Sequence, residues 1–194
     1  MSSKDIFSYT IILNSRSPRR RQLLEQMGFN IRIAKTHTEE SYPNNLAIEK
    51  IPVFLAEKKG RAYTEQIREK EILLSSDTMV FLNNEALGKP QSKQEAIAML
   101  QKLSGRKHCV VSGCNLRTKV KSISFYEKTD VFFKPLSFQE IEYYVNKYEP
   151  LDKAGAYGIQ EWIGMIGIEK IEGDFYNVMG LPTVTLFQKL KEIL

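Results

Sequence analysis

Apolar and polar positions along the chain switch between two periods, and the switches mark out the elements. Ile11, Ile12 and Leu13 form a short continuous apolar run that predicts a buried strand, after which Leu23, Leu24 and Met27 recur at helical spacing. Ser17 before Pro18 is an N-cap followed by proline at the first helical position, and Gly28 supplies a C-terminal cap. Phe29, Ile31 and Ile33 alternate with polar residues as a second strand, which leads to a polar segment over residues 36–43. Residues 45–70 predict a helix with Ile48, Ile51, Leu55, Ala56 and Ala62 on its apolar face; Pro52 starts its main part, because proline fits a first turn and not an interior.

The next run, Ile72 to Leu82, is apolar on both sides of Asp77 and predicts a buried strand. The Asn83-Asn84 turn closes a hairpin that carries Lys89 back toward the end occupied by Asp77. Ser92 with Glu95 and Ser137 with Glu140 have the spacing of capping boxes. The first opens a helix through Leu103 that Gly105 ends; the second opens a helix with Phe138, Ile141, Tyr144, Val145 and Tyr148 on one core-facing stripe. Residues 108–118 and 122–134 read as two long strands, 151–160 as a small-residue loop, 165–171 as a strand and 177–182 as a further loop. Val184, Leu186, Phe187, Leu190 and Ile193 close the chain as an amphipathic helix. No repeat, low-complexity tract or long linker interrupts this succession, so residues 1–194 are expected to form a single domain.

Composition adds limits more than identity. Hydrophobic residues at 42% and charged residues at 26% are ordinary for a soluble globular protein. No apolar run reaches membrane-spanning length, and the opening Met-Ser-Ser-Lys-Asp lacks a signal peptide's apolar core, so a cytoplasmic location with no membrane partner is expected. A net charge of +5 and a pI near 9.1 bring nucleic acid into consideration as a partner. The cations are spread along the chain, however, without a polybasic tail or a zinc-finger signature, and a small phosphorylated ligand needs only a local cluster. Two cysteines, Cys109 and Cys114, exclude a disulfide framework and a four-cysteine metal site.

Charge does change the picture at the first turn. A helix N-terminus favours anions, yet Arg16, Arg19, Arg20 and Arg21 crowd this one, and Arg20 stands where a capping-box glutamate would. A bound polyanion would resolve the conflict; a solvated basic turn is the other reading. Asp77 inside an apolar strand is either a structural carboxylate accepting backbone bonds or a functional one, paired or metal-binding. Glu39 and Glu40 offer a metal ligand or a solvated loop, Lys58 and Lys59 a solvated helix face, and Lys89 a phosphate contact or a partner for Asp77. In the 151–160 loop, Asp152, Lys153 and Gln160 are the polar groups among small residues that let backbone approach a ligand. No P-loop, dinucleotide fingerprint or nucleophile elbow is present.

Five segments in chain order resemble the Maf family of nucleotide pyrophosphatases: Ser15-Arg16-Ser17-Pro18-Arg19-Arg20, Ser76-Asp77-Thr78-Met79-Val80, Leu87-Gly88-Lys89-Pro90, the run from Asp152 to Gln160, and Phe175 to Pro182. The resemblance implies a mixed α/β fold like that of inosine triphosphate pyrophosphatases, with an elongated sheet flanked by helices and two lobes about a central cleft. It implies hydrolysis of a nucleoside triphosphate between the α and β phosphates with a divalent cation, Mg²⁺ or Mn²⁺, and a homodimer as the recurring assembly. The Gly158-Ile159-Gln160 ending is similar to the subgroup acting on dTTP and UTP, and a house-cleaning role in the nucleotide pool follows.

Carried onto this sequence, the resemblance makes Asp77 the catalytic carboxylate and, with Glu40, a metal ligand. Lys59 and Lys89 join it as catalytic cations, and Ser15, Ser17, Arg19 and Arg20 match the triphosphate-binding turn. Thr78, Asp152, Lys153 and Gln160 match the substrate pocket, with Gln160 as the base reader. Arg16 between the serines, Glu39 before Glu40, Gly60 after Lys59 and Ser112 before Gly113 depart from the usual residues. Two other readings compete: a nucleotide-binding regulator of cell division acting through a protein partner, and a nucleic-acid-binding domain motivated by the pI.

Overall fold

The computed structural model of the chain describes residues 6–34 and 36–194. Residues 1–5, from which the lack of a signal segment is read, and Lys35 lie outside the described residues. The strands β1 (Thr10–Asn14), β2 (Asn30–Ala34), β3 (Glu71–Leu82), β4 (Glu85–Leu87), β5 (Lys107–Arg117), β6 (Ser122–Phe133) and β7 (Ile168–Glu172) form one sheet. Its order is β2-β1-β3-β5-β6-β7, with β4 paired to β3. β1 runs parallel to β2 and to β3, with Ile11 opposite both Ile31 and Ile72, whereas β4 and β7 pair antiparallel with β3 and β6. The sheet is therefore mixed. Lying between two parallel neighbours, β1 needs apolar residues on both faces, which is why Ile11, Ile12 and Leu13 are consecutive and buried.

The helices are α1 (Pro18–Gln26), α2 (Lys50–Arg61), α3 (Lys93–Leu103), α4 (Phe138–Tyr148), α5 (Trp162–Gly167), α6 (Phe175–Met179) and α7 (Thr183–Ile193). Among the described residues no helix is long and apolar enough to cross a membrane. The chain divides into two compact units. The first holds the described residues up to Asp77, with Ser112–Glu127 and Gly180–Leu194; the second holds Thr78–Val111 and Lys128–Met179. In the first, Ile12, Ala34, Tyr63, Ile67 and Leu73 form a buried cluster. In the second, Val80, Leu100, Val131, Phe133, Ile141 and Tyr144 belong to the core.

The local signals at α1 are realised in full. Ser17 is extended and its hydroxyl accepts from the Arg20 backbone N–H, Pro18 opens the helix, and Gly28 sits at φ +86. Gly28 N–H donates to Glu25 and Phe29 N–H to Leu24, the paired bonds of a left-handed helix ending. The Ser137–Glu140 capping box is complete. At Ser92 only half the box forms: its hydroxyl accepts from Glu95 N–H, but the Glu95 carboxylate reaches back to Gln91 N–H at 2.7 Å.

Three boundaries differ from the expected ones. The helix expected over 45–70 is confined to Lys50–Arg61; Tyr63 and Ile67, although they keep helical spacing with Ala56 and Gly60, reach the first unit's core from the irregular segment that follows. The strand expected over 165–171 is helical up to Gly167 and extended only from Ile168. A strand would put Met165 on the same inward face as the buried Ile163 and Gly167, yet Met165 is 76% exposed; one helical turn buries Ile163 and Gly167 together and leaves Met165 outside. Part of the 177–182 loop is the short helix α6, where the buried Asn177 amide donates to Val110 C=O and Thr129 Oγ.

Helix α2 docks on β5 through two glycines. A Cβ on Gly113 would collide with the backbone of Pro52 and Val53, and one on Gly60 with Asn115 Oδ1. Because the Gly113 obstacle is backbone, Gly113→Ala is expected to cost about 2–4 kcal/mol, at or above the usual overpacking range. Its melting temperature should fall several degrees in calorimetry; an unchanged value would show that α2 is free to shift.

His108 lies in the second unit, 2% exposed, with Nε2 2.8 Å from Tyr157 Oη. Burial lowers its pKa from 6.5 to about 4. As pH falls below 6.5 the unfolded chain takes up the proton first, so stability drops through the window from about 6.5 to about 4. The loss should approach ~3 kcal/mol at the acid end. Urea midpoints measured at pH 7, 5 and 4 should fall less steeply for His108→Gln than for the parent chain, and parallel curves would remove His108 as the cause.

Candidate active site

In the first unit the expected residues come together around Lys59. Its ammonium lies 2.5 Å from Asp77 Oδ1 and 2.8 Å from Glu40 Oε1. Asp77 reaches this point because β3 carries it past the buried Ser75 and Ser76; its side chain is 11% exposed and that of Lys59 17%. Glu40, in the irregular segment after β2, is more open at 54%. One cation therefore bridges two carboxylates drawn from distant parts of the chain and offsets only one of their two charges.

Two residues outside the expected set build this arrangement. Asn14, at the end of β1 and 4% exposed, donates to the Lys59 carbonyl at 2.9 Å and accepts from Thr36 N–H and Oγ1 at 3.2 and 2.9 Å. A buried amide needs such partners, and here they tie α2 to the start of the segment bearing Glu40. Lys58, read as a solvated helix residue, donates to Ser41 Oγ at 2.8 Å and to Ser41 C=O at 3.2 Å. The sequence signal for Asn14 was a polar residue closing an apolar strand; for Lys58 there was none.

The arginines of the opening turn separate into different roles. Arg20 is buried: its Nε donates to Gly180 C=O at 2.8 Å, and one terminal nitrogen donates to Ser76 C=O at 2.8 Å and Ser15 Oγ at 3.2 Å. Burial lowers its pKa from the ordinary arginine value, with the Asp77 charge opposing that shift. Arg20 thus binds the turn to the residue preceding Asp77. Arg21 pairs with Glu25 one helical turn away at 2.8 Å, Arg16 is exposed and Arg19 half-buried. Ser15 Oγ also accepts from Ser17 N–H at 3.2 Å. Cys114, whose thiol lies 3.5 Å from Ser76 Oγ, is pushed by burial up to about 11 and is no nucleophile near neutral pH.

The second unit holds the remaining residues. Gly88 C=O, beside the exposed Lys89, accepts from Gly155 N–H at 3.0 Å, which joins the hairpin end to the 151–160 loop. Lys153, 8% exposed, donates to Asp152 at 2.7 Å and lies 3.2 Å from Glu161, a carboxylate absent from the expected set. Ala156 adopts φ +59 while fully buried, an uncommon conformation for a residue with a Cβ and one that packing must hold. Gln160 Oε1 is buried and has no hydrogen-bond partner among the described residues. Thr78 is half-buried on β3.

Among the described residues no group of three or more His, Cys, Asp or Glu side chains is placed to hold a metal ion. Glu40 and Asp77 nevertheless suit a hard cation of the Mg²⁺ type, which is commonly bound by one or two carboxylates with substrate phosphates completing its shell. That both converge on one positive charge is the observation in favour.

A family model described as Maf-like protein matches residues 10–193. The chain belongs to the Maf-like protein family. It is similar to a Bacteroides fragilis protein named dTTP/UTP pyrophosphatase, 46% identical over 187 residues covering 95% of this chain and 96% of that one. Proteins of the same name from Cytophaga hutchinsonii, 48% identical over 183 residues, and Parabacteroides distasonis, 44% over 190, cover 94% and 97% of this chain and 84% and 98% of their own length. Among solved structures it is similar to the Staphylococcus aureus Ham1 protein, with a TM-score of 0.50 and 16% identity over 94% of this chain and 98% of that one. At that identity the likeness concerns the fold, and it bears out the inosine triphosphate pyrophosphatase-like class expected of a Maf-like chain. One departure within this Maf-like sequence also finds its reason: Gly60 has no room for a Cβ because Asn115, bonded to Ser122 and Ser124, fills the space.

Proposed function

We propose that the chain hydrolyses dTTP and UTP to the nucleoside monophosphate and pyrophosphate. The observation that carries this reading is the Lys59 ammonium shared by Glu40 and Asp77, beside a helix N-terminus that Arg20 ties to Ser76. The relatives named dTTP/UTP pyrophosphatase support the substrate choice, since they align along nearly the whole chain.

Phosphoanhydride hydrolysis asks mainly for charge neutralisation and an oriented water. Glu40 and Asp77 would hold Mg²⁺ or Mn²⁺, which supplies neutralisation at the phosphate oxygens. Asp77, the less exposed of the two carboxylates, orients the attacking water and accepts its proton. Lys59 and Lys89 contribute positive charge to the triphosphate, as do Arg19 and the α1 N-terminus with Ser15 and Ser17. Arg20 serves by fixing the turn, because its guanidinium is engaged by Ser15, Ser76 and Gly180. Thr78, Asp152 and Lys153 border the nucleoside, and a homodimer in the cytoplasm completes the proposal.

Gln160 reads the base. Its buried Oε1 has no donor among the described residues, and a uracil or thymine ring offers N3–H beside a carbonyl that the same amide can satisfy. Gln160→Ala is expected to lower kcat/KM for UTP and dTTP by about 10–100-fold, the loss of one or two hydrogen bonds. The deciding experiment is a nucleoside triphosphate panel assayed for pyrophosphate with Mg²⁺ or Mn²⁺. Release from UTP and dTTP above the purine nucleotides supports the reading; no release from any nucleotide overturns it.

A further inference from the structure

Glu161 occupies the N-cap position of α5, where a carboxylate ordinarily accepts from the helix's first N–H groups, yet its side chain makes no capping bond. It is drawn away to other partners. Oε2 accepts a short hydrogen bond from Tyr144 Oη, and Oε1 lies 3.2 Å from Lys153 Nζ. Tyr144 Oη in turn accepts from Gly158 N–H at 3.1 Å. Tyr144 is fully buried on α4 and Lys153 is 8% exposed, so neither group can exchange these partners for water at low cost. A Cβ on Gly158 would lie 2.8–2.9 Å from the Glu161 carboxylate, which leaves glycine as the residue that lets the backbone close on it.

These bonds grip the chain on both sides of the Ile159-Gln160 pair. Gly158 is held from the N-terminal side and Glu161 from the C-terminal side, with Gln160 between them. We infer that Tyr144, Glu161 and Lys153 form a positioning brace for Gln160, and that the brace sets the base preference of the site. The inference rests on the reading of Gln160 as the group that meets the base. It assigns Tyr144, otherwise one of the core stripe of α4, and Glu161 to selectivity through Gln160, with no contact of their own to the substrate. A single amide discriminates only when its oxygen and nitrogen are held in register with the base edge; a loose Gln160 would meet any base through water.

The test compares binding of the unreacted monophosphates UMP and GMP by calorimetry in the parent chain, Tyr144→Phe, Glu161→Gln and the double variant. UMP affinity should fall about tenfold in each single variant, with GMP affinity within about twofold of the parent, so that preference is lost without loss of the phosphate site. Because the two groups act as one unit, the double variant should lose no more than the larger single loss. Thermal melts check folding, and Tyr144→Phe, which keeps the packed ring, guards against a misfolded Glu161 variant. An unchanged UMP-to-GMP ratio in both single variants overturns the brace, as does a parent chain that binds both equally. A parent chain that prefers UMP but releases no pyrophosphate from UTP overturns the hydrolase reading and leaves the brace standing on its own data.

Discussion

An Asp77→Asn protein is expected to fold and yet release pyrophosphate from UTP at least about a thousandfold more slowly than the parent chain, as for loss of a general base together with a cation ligand. The substitution keeps shape and an oxygen that can still accept from Lys59, so packing at the end of β3 is retained. What disappears is the negative charge and the basicity. Asp77 is 11% exposed beside Lys59 at 2.5 Å, and losing the charged bond should cost about 1–3 kcal/mol of stability. Lys59 keeps Glu40 as a counter-ion, which limits that cost. Pyrophosphate release at saturating UTP and Mg²⁺, with a denaturation curve on the same sample, separates the two effects. Near-parental turnover would remove Asp77 from the chemistry; loss of the folding transition would assign it to structure.

Lys59→Met is expected to separate two quantities that usually move together. Without nucleotide, Mn²⁺ should bind at least about tenfold more tightly, because Lys59 occupies the same two carboxylates that a cation would use and charges this close interact by several kcal/mol. Turnover should nevertheless fall about a hundredfold, since the triphosphate loses a fixed positive charge in the transition state. Mn²⁺ titration followed by electron paramagnetic resonance gives the first quantity and pyrophosphate release the second. Unchanged Mn²⁺ affinity would mean that Glu40 and Asp77 do not hold the cation. Unchanged turnover would mean that Lys59 serves only as their counter-ion.

Both predictions depend on side chains whose neighbours the sequence did not reveal in the same measure. Asp77 stood out because a carboxylate within an apolar strand is expensive unless partnered, and its partner proved to be Lys59. Lys59 itself was indistinguishable from Lys58 by pattern, two adjacent lysines on one helix, until the resemblance to the Maf family selected it. The fold shows each lysine holding one of two adjacent residues, Glu40 and Ser41. The arginine cluster was conspicuous as a conflict with the helix dipole, but its resolution differs for each member: Arg20 buried on backbone carbonyls, Arg21 paired with Glu25, Arg16 exposed.

The Ser17 cap, Pro18 and Gly28 dictate the local structure of the first turn, and runs too apolar to face water dictate the buried strands. Those features depend on residues a few positions apart, so they are written in order along the chain. Folding, in contrast, ends α2 at Arg61, sets Gly60 against Asn115, anchors Lys59 on Asn14 and draws Glu161 from its helix to Tyr144 and Lys153. Each of these is set by a partner more than two helical turns away along the chain or by the space left between packed elements, and hydrogen bonding and excluded volume at such separations leave no period or spacing in the sequence.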